Sequence, residues 1–229
     1  MEVLANGFTL ELCSEGFPLS TDSIALAGFA TLKNNATVLD LGAGCGTLGL
    51  LLCAEHSTCH VTGVEINQNA HNMALKNSSA NGITHRLTSI CADLKTLPSF
   101  IEASSFSYCI SNPPYFTDGP ESKTHATARK ENLCTMNDLM VAAHWALKYG
   151  GDFFLVHRPE RLAEIFACAT SHKLEPKRLC LLRHRSNGPV TLVLVQCRKG
   201  AKPGLIWEEQ VLFHTDGTPT DYYKKLYHL

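Results

Sequence analysis

Between residues 37 and 65 the chain runs strand, glycine turn, helix, strand, and that order leaves few folds open to it. Thr37-Val38-Leu39-Asp40-Leu41 reads as a short buried strand, and Gly42-Ala43-Gly44-Cys45-Gly46-Thr47-Leu48-Gly49 follows it directly. The apolar run from Leu48 to Ala54 then begins a helix. In such a loop the missing Cβ atoms let the backbone approach a nucleotide closely. The second strand, His60-Val61-Thr62-Gly63-Val64-Glu65, ends in a carboxylate about 20 residues past the glycines, where an acid that binds a ribose is expected. A glycine pattern alone is weak evidence of a nucleotide site, and the acid makes it strong.

The rest of the chain continues the alternation. A leading helix is expected over Thr21 to Leu32, then strand 37–41, helix 47–55, strand 60–65, helix 67–80, strand 86–91, a short helix near 94–103 and strand 106–111. Beyond a long polar segment come helix 136–147, strand 152–157, helix 160–170 and two strands near 177–183 and 190–197. This order implies an α/β fold: a mostly parallel, seven-stranded sheet with helices on both faces and an antiparallel edge made by the last two strands. One domain is expected over 1–229, with an N-terminal extension over 1–36, a core over 37–200 and a C-terminal extension over 201–229. In an open sheet of this kind the ligand lies outside the carboxyl ends of the strands. Asp40, Glu65, Asp93 and Asn112 all fall at such ends.

The fourth strand runs into Asn112-Pro113-Pro114-Tyr115. An exocyclic amine attacks weakly while its lone pair is delocalised into a ring, and two acceptors for its hydrogens favour a more tetrahedral nitrogen. An Asn side-chain oxygen and a backbone carbonyl supply both. The prolines stiffen the turn and hold the preceding residue extended, which sets the Pro113 carbonyl towards the amine. Tyr115 offers a flat face for a planar substrate, worth on the order of 1–3 kcal/mol for a nucleobase. The tetrad therefore points to methyl transfer onto a planar amino nitrogen. Asn-Pro and Pro-Pro are also common turn dipeptides, so the glycine loop is needed to weight the reading.

The glycines leave open whether the loop takes a dinucleotide, with its pyrophosphate at the helix N-terminus, or S-adenosylmethionine. With the tetrad included, the chain resembles the class I S-adenosylmethionine-dependent methyltransferases that act on amines. It is most similar to the bacterial valine-tRNA adenine-N6 methyltransferase family. The residues that carry the resemblance are Leu39 to Gly46 with Gly49, Gly63-Val64-Glu65, Ala92-Asp93 and Ser111 to Phe116. Phe17-Pro18-Leu19-Ser20-Thr21-Asp22-Ser23 and the tail from Val156 to Asp216-Gly217 also match it. The resemblance implies that Asn112, Pro113, Pro114 and Tyr115 are catalytic. It further implies that Asp40, Gly42, Gly44, Gly46, Glu65, Ile66, Asp93 and Asn112 bind S-adenosyl-L-methionine. Glu65 is to accept from the ribose hydroxyls, Ile66 to pack on the adenine and Asp93 to accept from the adenine amine, unless Asp93 serves as a helix N-cap; the two uses are compatible. Phe116, Lys123, Arg129 and Lys130 are expected at the substrate. The product so implied is N6-methyladenosine in RNA, with tRNA as partner. The same tetrad also occurs in enzymes that methylate a glutamine amide of translation release factors. Cys45 departs from the small alcohol or alanine usual in the loop and leaves a thiol near the cofactor.

Composition narrows the remaining classes. With 229 residues, 45% of them hydrophobic, the chain is long enough for one three-layer core. A formal net charge of −1 argues against non-specific coating of nucleic acid but leaves room for a local cationic patch. Candidates are Lys123, His125, Arg129 and Lys130; Arg158 and Arg161; Arg183, His184 and Arg185; and Arg198, Lys199 and Lys202. The 10 cysteines include no C-x-x-C pair, and no metal is expected. The N-terminus lacks the pattern of a signal peptide and no apolar run is long enough to span a bilayer, which predicts a soluble, cytoplasmic protein without membrane partners.

Overall fold

The structure, a computed structural model, describes residues 2–4, 7–13, 19–113 and 134–229. Ten strands occur among them: β1 (Glu2–Val3), β2 (Thr9–Leu10), β3 (Thr37–Leu41), β4 (His60–Glu65), β5 (Leu87–Cys91), β6 (Phe106–Ser111), β7 (Leu147–His157), β8 (Leu174–Arg185), β9 (Val190–Lys199) and β10 (Ile206–Phe213). The helices are α1 (Thr21–Phe29), α2 (Thr47–Glu55), α3 (Gln68–Ala80), α4 (Met136–Ala146), α5 (Leu162–Ser171) and α6 (Asp221–Tyr227), with short 3₁₀ turns over Leu94–Ser99 and Pro159–Arg161.

Strands β3 to β10 form one eight-stranded sheet in the order β10-β8-β9-β7-β6-β3-β4-β5. Strands β5, β4, β3, β6 and β7 run parallel, whereas β9 is antiparallel to both β7 and β8. The α/β class and parallel core follow the sequence pattern, but the count rises from seven to eight. The added strand, β10, pairs in parallel with β8, so the outermost pair of the sheet is parallel and the antiparallel β9 is interior. All strands except β9 therefore end at the same edge of the sheet.

Alternation along β7 shows how both faces are filled. Phe154 and Val156 face a core shared with Leu26 and Phe29 of α1 and Leu50 and Leu52 of α2. Phe153 and Leu155 face Leu139 and Met140 of α4 and Ile165 of α5. Phe153 and Phe154 are wholly buried, and each contributes roughly 1.5–3 kcal/mol by leaving water. A strand buried on both faces reads as a continuous apolar run, which is why Phe153 to Val156 shows no alternation in sequence.

Several ends differ from the sequence expectation for local reasons. α1 stops at Phe29 rather than Leu32 because Ala30 turns extended, with φ −69° and ψ 110°. The helix expected near 94–103 is a 3₁₀ turn with Pro98 inside it. Strand β7 begins at Leu147, well before residue 152, and pairs with β6 through a register irregularity between Phe106 and Tyr108. No helix among the described residues is long and apolar enough to cross a membrane.

Candidate active site at the carboxyl edge of the sheet

The carboxyl ends of β3, β4, β5 and β6 lie side by side, and the predicted cofactor residues that the structure describes gather there. Register places Asp40 of β3 between Gly63 of β4 and Ile110 of β6. Beyond Leu41 the chain leaves the sheet as the glycine loop, tied back by the N–H groups of Gly42 and Ala43, which both donate to the Val64 carbonyl at 3.0 Å. At Gly44, with φ +55°, an added Cβ meets no atom within 4 Å, so one face of the loop is open. At Gly63 the opposite holds: a Cβ there would come within 2.7 Å of the Ala43 Cβ, and only a glycine lets the loop close over β4.

Glu65 fixes that loop. Its Oε2 accepts from the Gly44 N–H at 2.8 Å, and its Oε1 accepts from the Asn67 N–H at 2.8 Å. Each carboxylate oxygen keeps a further lone-pair site, so the acid can brace the loop and still accept from a diol. Beside it, Ile66 is 44% exposed, a large apolar side chain left facing solvent. Asn67 caps α3, accepting from the N–H groups of Asn69 and Ala70. Asp93 lies just past β5 and accepts through Oδ1 from the Lys95 N–H at 2.9 Å. It is thus an N-cap, and the cap uses one of its two oxygens.

Asp40 is the most unusual group at the site. It is 1% exposed, and neither carboxylate oxygen has a hydrogen-bond partner among the described residues. Burial, with repulsion from Glu65 adding to it, pushes its pKa up to about 8. An orphaned buried carboxyl beneath an open glycine loop is what a cationic ligand with hydrogen-bond donors would complete. Together with Glu65 and the exposed Ile66, it makes the residues present fit S-adenosylmethionine. Cys45, by contrast, turns away from the open face: its thiol is buried and lies 3.6 Å from the Cys13 Sγ.

Asn112 follows β6 immediately and is half-buried. Its Nδ2 donates to the Ser23 Oγ at 2.9 Å. The strand end beneath it is locked to β3, since Ser111 Oγ donates to the Leu41 carbonyl at 2.6 Å. Pro113 is buried beside it. Pro114, Tyr115, Phe116, Lys123, His125, Arg129 and Lys130 lie outside the described residues.

Topology divides the other cationic clusters. Arg158 and Arg161 follow β7, and Arg183, His184 and Arg185 close β8, all at the site's edge of the sheet. Arg161 pairs with Glu164 and Arg183 with Glu209, while His184 and Arg185 are exposed. Arg198 and Lys199 occupy the opposite edge. There Arg198 faces Asp152 across β9 and β7, and Lys199 Nζ donates to the carbonyls of His144 and Leu147 at 2.6 and 2.7 Å. Three residues that the sequence did not single out for the site also hold it together: Ser23, Asn77 and Ser111. Each acts through a partner far away in the chain; Ser23 and Ser111 fall in stretches that carry the resemblance, but their contacts have no local signal.

Comparison with known proteins agrees with this geometry. Residues 23–166 match the methyltransferase small domain family. A Photobacterium profundum protein named tRNA1(Val) (adenine(37)-N6)-methyltransferase is 25% identical, with 93% of each chain covered. A Shewanella baltica protein of the same name is 31% identical over 78% of this chain and 77% of its own. One from Shewanella halifaxensis is 33% identical over 72% of this chain, which spans 66% of that relative's length. Among solved structures, an Agrobacterium tumefaciens protein described as a predicted O-methyltransferase superposes with a TM-score of 0.77 at 22% identity, covering 91% of this chain and 96% of its own. That likeness carries the fold. The open glycine loop braced by Glu65, the orphaned Asp40 and the match over residues 23–166 lead to one conclusion: the chain belongs to the methyltransferase small domain family.

Proposed function

We propose that the protein transfers a methyl group from S-adenosylmethionine to the exocyclic N6 amine of adenosine in RNA, and that this RNA is the anticodon loop of a tRNA. The observation that carries the reading is the adjacency of Asn112-Pro113 to the glycine loop, made by the pairing of β6 with β3. The names of the relatives, which cover up to 93% of the chain, support the substrate.

When bound, the cofactor supplies a methyl group already activated on a sulfonium. The chain has to bind, orient and accept charge. Glu65 accepts from the ribose hydroxyls with the lone pairs its two backbone contacts leave free. Ile66 packs on the adenine ring, and the second oxygen of Asp93 accepts from the adenine amine. Asp40 offers a carboxylate where positive charge is brought in. At the reacting amine, the Asn112 Oδ1 and the Pro113 carbonyl accept the two hydrogens, which holds the nitrogen in line with the methyl group and stabilises its developing positive charge. A base in a folded loop must leave its stack to reach this edge, and Tyr115 and Phe116 are the aromatic residues that replace the lost stacking. The cations at the same edge, Arg158 and Arg185, serve the phosphates, with His184 beside them and with Lys123, Arg129 and Lys130 of the segment after the tetrad.

The test uses purified protein and S-adenosylmethionine with a labelled methyl group, offered separately to unmodified tRNA, ribosomal RNA, DNA and a protein extract. Digests are read by mass spectrometry, with Asn112→Ala as control. Label recovered as N6-methyladenosine in tRNA, and lost in the control, is the expected result. Label in protein glutamine, with none in RNA, would replace this reading with amide methylation.

A further inference from the structure

A carboxamide presents an acceptor on one side and a donor on the other. If Asn112 is to accept from the substrate amine, its Oδ1 has to face the substrate; the reversed amide would set N–H against N–H. Something in the protein must therefore engage Nδ2. Among the described residues, the partner of Nδ2 is the Ser23 Oγ at 2.9 Å. Ser23 lies in the first turn of α1 and is buried, whereas Asn112 sits at the end of β6, 89 residues further along the chain.

Ser23 is itself held in place. Its N–H donates to the Oγ of Ser20, the N-cap of α1, at 3.3 Å. The Ser20 hydroxyl donates in turn to the Ser23 Oγ at 3.5 Å, a long bond. A serine oxygen has two lone pairs, and Ser20 and Asn112 take one each. In this arrangement the buried Ser23 oxygen accepts from the Nδ2 side of the amide, which leaves Oδ1 as the atom turned away from it. We propose that Ser23 is a positioning residue that sets the amide orientation of Asn112, so that Oδ1 is the atom left for the amine. This rests on the reading that Asn112 receives the amine, and it assigns to the leading helix a role beyond packing.

Four proteins are compared: wild type, Ser23→Ala, Ser23→Thr and Asn112→Ala. Steady-state kinetics are measured on unmodified tRNA, and cofactor affinity by calorimetry. Losing one orienting hydrogen bond at a reacting centre is expected to lower kcat about 10- to 100-fold in Ser23→Ala. The RNA KM and the cofactor Kd should stay near wild type, and Ser23→Thr, which keeps the hydroxyl, should recover most of kcat. A purely structural role would instead lower kcat and Tm and raise the RNA KM and the cofactor Kd together. Independently of activity, the side-chain amide signals of Asn112 are identified by their loss in Asn112→Ala. In the wild-type protein their hydrogens should exchange slowly, and in Ser23→Ala fast.

Wild-type kcat in Ser23→Ala, while Asn112→Ala is inactive, overturns the proposal and leaves the methylation reading standing. Full activity in Asn112→Ala removes that reading itself. Should Ser23→Ala fail to fold, the wild-type spectrum still decides, because amide hydrogens of Asn112 that exchange as fast as those of a free asparagine would overturn the proposal.

Discussion

The side-chain nitrogen of Asn77, buried in α3, donates to the carbonyl oxygen of Cys45 in the glycine loop at 2.9 Å. The same Nδ2 donates to the Glu11 carbonyl at 2.8 Å, and the Asn77 Oδ1 accepts from the Glu11 N–H at 2.9 Å. One turn on, Asn81 treats Thr9 in the same way, with 2.7 Å to both its N–H and its carbonyl. Two amides on one helix face thus take the place of a neighbouring strand, and they strap residues 9–11 against the cofactor loop.

Asn77→Ala leaves the Cys45 carbonyl and both Glu11 backbone groups short of a partner. Unsatisfied polar groups cost about 1–3 kcal/mol each, and water reaching the loosened strap offsets part of that, so a loss of roughly 2–3 kcal/mol is expected. Denaturant midpoints measure it. Because the lost contact includes the loop, cofactor affinity should fall as well. A variant with wild-type affinity and lowered stability would show that the strap supports the fold without shaping the loop.

Glu65 contributes through both oxygens, and this makes Glu65→Gln informative. Glutamine retains one acceptor and places an N–H₂ against a backbone N–H, at either Gly44 or Asn67. The amide also removes an acceptor for the ribose. Cofactor affinity should drop about 10- to 100-fold by calorimetry, the equivalent of one or two charge-assisted hydrogen bonds. Glu65→Ala should be weaker still, having lost both braces. Wild-type affinity in Glu65→Ala would mean that the loop does not depend on Glu65.

The strands β3, β4 and β6 and the helix α2 were legible because each is a short apolar run closed by glycine, asparagine or an acid. Glu65 was legible for the same reason: a lone acid ending an apolar strand stands out. β10 was not, since Ile206-Trp207-Glu208-Glu209-Gln210 carries three polar residues together and its first four positions are exposed. Its partner β8 supplies the order that its own pattern lacks. The first residues of β7 were hidden by Gly150 and Gly151, which read as a turn. Ser23, Asn77 and Asn81 were out of reach of any local rule. Their partners lie between 32 and 89 residues away, and only the folded chain brings them together.

Arg198 and Asp152 form a paired contact at the edge of the sheet away from the site, with Nε to Oδ1 at 2.8 Å and Nη2 to Oδ2 at 3.0 Å. Asp152 is buried, whereas the Arg198 side chain is 44% exposed. Arg198→Ala strands a buried carboxylate and should destabilise the protein by about 1–3 kcal/mol, less than a fully buried pair would. Cofactor affinity and the salt dependence of RNA binding should stay unchanged, because five residues of β7 place Asp152 ~16 Å from the site's edge. A reduced salt slope in this variant would instead put RNA on the far edge.

The pH dependence of cofactor binding should report on Asp40. With its pKa pushed up to about 8 by burial, the carboxyl of the free protein is mostly protonated and neutral at pH 7. A bound cation favours the ionised form and draws the pKa down, so binding below about pH 8 releases a proton and affinity rises with pH until that value. In Asp40→Asn the rise should be absent. Folding of the free protein has the opposite slope. The folded pKa of about 8 lies above the ordinary value of 3.8, so between those limits the native state holds a proton that the unfolded chain has lost. Stability from this group is therefore greatest below about pH 4, falls as pH rises, and levels off above about pH 8. His157, whose pKa burial lowers to about 4, acts in the opposite sense below neutrality, so the wild-type curve alone mixes the two. Urea midpoints of wild type and Asp40→Asn, compared at each pH, isolate Asp40: the variant's relative stability should grow steadily between about pH 4 and 8. A difference that stays constant across that range would mean that Asp40 is ionised throughout, and affinity would then have no reason to climb with pH.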